Sequence, residues 1–97
     1  MIELQDAERL IQLAKEAISC VFRGSQVDAD EELREKFSTP QGVFVTLKSM
    51  GKLRGCIGFV EPVFPLFEGV IRAAQAAAFE DPRFPPLQKQ ELKEIEV

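Results

Sequence analysis

The sequence of 97 residues contains no histidine, tryptophan or tyrosine. Without histidine the chain cannot build a Ser-His-Asp triad, a Cys-His pair or a histidine-ligated zinc from its own residues. Cysteine is nearly absent: Cys20 and Cys56 lie far apart and form no C-x-x-C pattern. Two such residues are too few for the disulfide framework of a small secreted domain, and the expected compartment is the reducing cytoplasm. Basic residues are outnumbered, 12 Lys and Arg against 16 Asp and Glu, for a net charge of −4. That balance argues against the broad cationic surface of non-specific nucleic-acid binding. Long apolar runs are missing too. Gly58, Glu61, Glu68 and Arg72 interrupt the apolar segments well short of the ~18 residues that cross a bilayer, so no membrane association is expected. The opening Met1–Glu8 carries acidic residues where a signal peptide would be basic and then apolar, which speaks against export by that route. What is present, 45% hydrophobic and 29% charged residues, is the composition of a globular protein. The length suits a single domain, residues 1–97, with a modest core.

Apolar residues Ala7, Leu10, Ile11, Ala14, Ala17, Ile18 and Val21 recur at helical spacing from Glu3 to about Arg23, with Glu8, Arg9, Gln12, Lys15, Glu16 and Ser19 opposite. This predicts a one-faced amphipathic helix stopped by Gly24. Ser25–Asp30 reads as a loop and Glu31–Phe37 as a short helical turn. After Pro40, Val43–Lys48 and Lys52–Val60 are rich in β-branched and aromatic residues and predict two strands of a hairpin. A three-residue loop Ser49-Met50-Gly51, with Gly51 left-handed, pairs Lys48 with Lys52. That register places Val43, Val45, Leu47, Leu53, Ile57 and Phe59 on the core face, and Phe44, Thr46, Lys48, Arg54, Cys56 and Gly58 on the other. A two-residue Met50-Gly51 loop ranks second because it mixes apolar and polar residues on each face. Pro65 opens a largely apolar, Ala-rich helix ending near Phe79. Glu80–Pro86 reads as an irregular turn, Gln88–Lys93 as one or two helical turns, and Glu94–Val97 as the start of a strand. An unpaired strand there presents a bare edge, so either a truncated product or a chain completed by a partner is expected, with self-association through that strand as a further outcome.

The most unusual stretch is Leu53-Arg54-Gly55-Cys56-Ile57-Gly58. Two glycines weaken an apolar strand and mark a place where a ligand or another backbone comes close. Alternation puts Arg54 beside Cys56, and a guanidinium beside a thiol favours the thiolate. Against this stands the plainer reading of a small buried cysteine and an arginine paired with a carboxylate elsewhere. For Asp81-Pro82-Arg83-Phe84-Pro85 a rigid turn held by an Asp–Arg pair is preferred to a ligand contact. No cluster of metal ligands is evident, and neither a metal nor another cofactor is expected.

This run, preceded by Gly42-Val43-Phe44-Val45-Thr46-Leu47 and followed by Ala78-Phe79-Glu80-Asp81-Pro82-Arg83-Phe84-Pro85-Pro86-Leu87, resembles the AMMECR-one domain family. Bacterial and archaeal members are also named AmmeMemoRadiSam system protein A. The similarity is strong from about Val43 to Val97 and weak in the N-terminal helix. It implies an α+β fold with a mixed sheet, containing the hairpin and flanked by helices. It also implies a domain that continues beyond the position of Val97 for about as many residues again, so that the fold is incomplete at the C-terminus. The molecular activity of the family is not established. The occurrence of its members with a Memo-type protein and a radical S-adenosylmethionine enzyme implies a role in a modification pathway acting on RNA or protein.

Two functions therefore compete. In the preferred one the chain is a binding or adaptor component, using Arg54, Gly55, Gly58, Asp81 and Arg83 and the hairpin face to hold a protein partner or a small anionic ligand. In the other, Cys56 is the nucleophile or carrier of an enzyme component, with Arg54 supporting its thiolate and the glycines admitting substrate. The lack of histidine leaves that enzyme without an obvious base. RNA binding through Lys48, Lys52, Arg54 and Arg83 is not favoured, given the net charge.

Overall fold

The computed structural model describes residues 4–97; the expected start of the first helix at Glu3 lies outside the described residues. The amphipathic pattern forms α1, Leu4–Phe22, and buries Leu10, Leu13, Ala14, Ala17, Ile18 and Cys20. Beyond it the amide of Gly24 donates to Val21 and that of Ser25 to Cys20, which satisfies carbonyls left over at the helix end. Cys20, absent from the predicted apolar stripe, is fully buried, and its thiol donates to the Ala17 carbonyl at 3.2 Å. The short helix α2, Glu31–Lys36, is capped by Asp30, whose carboxylate accepts the Leu33 amide at 2.8 Å.

The hairpin is β1, Val43–Ser49, and β2, Lys52–Phe59, and its loop is the lower-ranked one. Ser49 pairs with Lys52 around a two-residue turn in which Met50 (φ 53°) and Gly51 (φ 79°) are both left-handed. This is the twist-matched hairpin turn that demands positive φ at both positions. The mixing of faces that counts against this loop is removed one step later by a bulge. Lys48 pairs with Leu53 but Leu47 with Gly55, so Arg54 is an extra residue and alternation restarts beyond it. Two expectations fail as a result. Lys48 does not pair with Lys52, and Leu53 is 44% exposed instead of lying on the core face. Val43, Val45, Leu47, Ile57 and Phe59 do pack with the core, and Gly55 joins their face.

Pro65 directly precedes α3, Leu66–Phe79, instead of forming its first turn. The amides of Leu66 and Phe67 donate to the carbonyls of Thr39 and Phe37, so the start of α3 is tied to the segment entering β1. This helix lies across the inner face of the hairpin and buries Val70, Ala73, Ala74, Ala77 and Ala78, with α1 alongside it. Its small residues permit a close approach to β2 at Gly55. A Cβ on Gly55 would overlap the Ala77 carbonyl oxygen.

After α3 the chain turns at Asp81, makes a single 3-10 turn at Lys89–Glu91 and enters β3, Ile95–Glu96. The sheet order is β2-β1-β3 and both pairings are antiparallel. The fold is α+β, with both long helices on one side of the sheet. On the other side Phe44, Thr46 and Lys48 are exposed, and Cys56 is half-buried.

Candidate functional site

The residues marked by the sequence converge on the outer margin of β2. Opposite Thr46, Cys56 turns its backbone N–H and C=O away from β1, and both are met by side chains of the turn after α3. Asp81 Oδ2 accepts the Cys56 amide at 3.0 Å, and Arg83 Nη2 donates to the Cys56 carbonyl at 3.3 Å. A carboxylate and a guanidinium thus stand where a neighbouring strand would supply a carbonyl and an amide. Asp81 also accepts from the Arg83 backbone amide (3.0 Å), Nε (3.1 Å) and Nη2 (2.8 Å). This is the expected Asp–Arg turn, and its second role is to cover a sheet edge. The Asp81 side chain is only 2% exposed. The Arg83 guanidinium first, then the amides of Cys56 and Arg83, hold its carboxyl well below the usual carboxylate range, and Asp81 in turn raises the pKa of Arg83.

Arg54 leaves the strand at the bulge and reaches the second turn of this region. Its Nε donates to Glu91 Oε1 at 3.0 Å and its Nη2 to Glu91 Oε2 at 3.1 Å, a two-pronged pairing, while Nη2 also reaches the Pro85 carbonyl at 2.9 Å. Glu91 is held in place by accepting the Gln88 amide at 2.7 Å. Arg54 first, then that amide, lower the Glu91 pKa. Nη1 of Arg54 is buried and makes no hydrogen bond. The Phe84 ring centroid lies 6.0 Å from the Arg54 guanidinium carbon and 5.5 Å from that of Arg83.

This geometry changes the reading of the motif. Among the described residues no hydrogen bond or ion pair joins Arg54 to Cys56. The Cys56 sulfur lies 3.4 Å from Thr46 Oγ1 on the open sheet face. The close approaches prepared by the glycines come from the protein itself: Gly55 faces the Ala77 backbone, and Gly58 lies against the Phe44 ring and the Val43 carbonyl. Of the six residues singled out from the sequence, Cys56, Asp81 and Arg83 form one connected group. Arg54 forms a second with Glu91, and Gly55 and Gly58 are packing positions. Glu91 and Pro85 escape sequence reasoning, since they bind Arg54 across 37 and 31 residues. The one local signal was the Gln88-x-x-Glu91 spacing of a capping box, which is present. Among the described residues no group of acidic or cysteine side chains could hold a metal ion, and no helix is long and apolar enough to cross a membrane.

Comparison with known proteins identifies the family and the fold. An uncharacterised protein of Methanothermobacter thermautotrophicus is 45% identical over 93 residues, covering 95% of this chain and 48% of the relative. One from Aquifex aeolicus is 41% identical, covering 93% and 47%. The crystal structure of an uncharacterised protein from Pyrococcus horikoshii superposes with a TM-score of 0.90 at 36% identity, over 97% of this chain and 49% of that one. The chain therefore spans about half the length of the relatives it matches. The AMMECR1 family model matches residues 11–97, and the chain belongs to the AMMECR1 family.

Proposed function

We propose that this chain is a binding component, not itself the catalyst, of a cytoplasmic modification pathway that also employs a Memo-type and a radical S-adenosylmethionine protein. One observation carries this reading: the charged side chains of the motif region are already committed to one another, while the sheet face beside them is open and partly apolar. Arg54 is matched by Glu91 and Arg83 by Asp81, so an anionic ligand or RNA would have to displace a carboxylate from each. The open face offers Phe44, 63% exposed, with Thr46 and Leu53 on the same strands. A partner protein can bury such a surface without breaking an ion pair.

The test is calorimetric titration of the purified chain with recombinant Memo-type and radical S-adenosylmethionine proteins. Binding to one of them is expected, weakened about ten-fold or more by Phe44→Asp with an unchanged melting temperature. Absence of binding to both would overturn the proposal.

A second reading is favoured by the half-buried Cys56 thiol on that same face. There Cys56 is a nucleophile or carrier. Iodoacetamide labelling of the native protein tests it. Rapid modification of Cys56 with loss of pathway activity in Cys56→Ser supports chemistry, whereas labelling of Cys56 only after denaturation excludes it. Cys20 is too buried to serve as an equally accessible control.

A further inference from the structure

On the helix side of the sheet, between β2 and α3, lies a cavity of about 640 Å³, a size in the range of small-molecule sites. Its apolar walls include Ile57 and Phe59 of β2, Phe64 of the loop before α3, and Ala76 and Phe79 of α3. Phe59 packs edge-on against Phe64, with ring centroids 5.4 Å apart, and Phe22 of α1 packs in the same way against Phe79 at 5.5 Å, which fixes the aromatic walls. No residue beyond Glu80 lines the cavity, and β1 stands between β2 and the last strand. Three polar side chains reach it: Arg72, Gln75 and Glu80. Gln75 is committed, its Nε2 donating to the Ala17 carbonyl at 3.0 Å. Arg72 is not. Its guanidinium carbon lies 4.4 Å from the centroid of the Phe64 ring. The nearest carboxylate oxygen, Glu68 Oε2, is 3.4 Å from its Nε, and among the described residues Arg72 makes no hydrogen bond. Arg54 and Arg83, by contrast, each hold a carboxylate by hydrogen bonds.

We propose that this cavity binds a small organic carboxylate with an aromatic or short aliphatic body. The carboxylate takes the Nη donors of Arg72, a guanidinium already placed by the Phe64 ring, and the body lies against Ile57, Phe59, Phe64 and Phe79. The orientation follows from the charges at the two ends. Glu80 closes α3 eight residues beyond Arg72, about 12 Å along the helix axis, and both its carboxylate and the helix C-terminus disfavour an anion there. The same length limits the body to one aryl group or a short chain. An inorganic anion would leave the apolar walls wet, a neutral apolar molecule would leave Arg72 unanswered, and a cation would meet it head-on. The cavity lies on the opposite side of the sheet from the face assigned above to a pathway partner, so the two readings stand or fall separately.

The experiment is titration of the isotopically labelled chain with 3-phenylpropionate, and separately with its uncharged amide, followed through the backbone amide resonances. Saturable shifts are expected at Phe59, Phe64, Arg72 and Phe79, with a Kd of about 1 mM or tighter for the acid and about ten-fold weaker for the amide. Arg72→Gln, at a helix position where the side chain is 54% exposed, is expected to bring the acid down to the affinity of the amide. Glu68→Gln, which removes the neighbouring carboxylate, is expected to tighten the acid about two-fold or more. Absence of saturable shifts at about 10 mM acid, equal affinity for acid and amide, or an undiminished preference in Arg72→Gln would each overturn the proposal. So would shifts centred on the groove between α1 and β1 in place of this cavity.

Discussion

The two edges of the three-stranded sheet differ in what meets their backbone. At Cys56 on β2, the amide and carbonyl are answered by Asp81 and Arg83. Along β1, strand pairing covers two residues and then stops. Natural sheets blunt edges with charged side chains to prevent unwanted strand addition, and here that treatment is confined to one side. The comparison teaches that the motif most conspicuous in the sequence closes one edge and packs one helix.

The most severe way to break this arrangement is to fill Gly55. With the Ala77 carbonyl oxygen in the position of a Cβ, Gly55→Val must drive α3 away from β2, a loss of about 3 kcal/mol or more. Chemical denaturation should show a greatly reduced midpoint or no cooperative transition.

Next in size is Asp81→Asn, which removes the charge that organises Arg83 and weakens the acceptor for Cys56. A melting temperature lower by about 5 °C or more is expected, together with faster amide exchange at Cys56. Folding lowers the pKa of both Asp81 and Glu91 from their ordinary values of 3.8 and 4.5. Their stabilisation is therefore complete above those values and lost as pH falls through the lower values of the folded state. The melting temperature should be level from pH 7 to about 5 and fall below about pH 4. In Asp81→Asn the decline should be shallower.

The smallest effect sharpens the hairpin. Met50 is a non-glycine residue at φ 53°, and asparagine tolerates that conformation better. Met50→Asn should stabilise by about 0.5–1 kcal/mol, read as a higher denaturation midpoint with an unchanged slope. A destabilising result would contradict the two-residue turn.

How far these features could be read from the sequence depends on the distance over which each is decided. The two long helices follow from local periodicity, the stop at Gly24 and the proline at the entrance to α3, whereas the Asp30 cap of α2, though just as local, was read only as part of a loop. The Asp81–Arg83 turn is equally local, with one residue, Pro82, between its ends. The hairpin was legible as a hairpin, but its register was not. Sorting side chains by strict alternation assumes an unbroken ladder, and the extra residue Arg54 falsifies that assumption one position beyond Leu53. What Arg54 contacts is beyond local reasoning, because Glu91 and Pro85 arrive from another turn. Burial of Cys20 was hidden for a related reason. The stripe drawn on α1 allowed for one covered face, whereas the buried residues Leu13 and Cys20 lie outside it.

The contrast between the edges is tested most directly by residue-resolved amide hydrogen exchange on the free chain at neutral pH, comparing Cys56 with Thr46 across the same strand pair. The account predicts that Thr46 exchanges at least ten-fold faster than Cys56 after correction for intrinsic rates, and that Asp81→Asn narrows the gap by accelerating Cys56 alone. Equal protection of the two amides in the wild-type chain would contradict it.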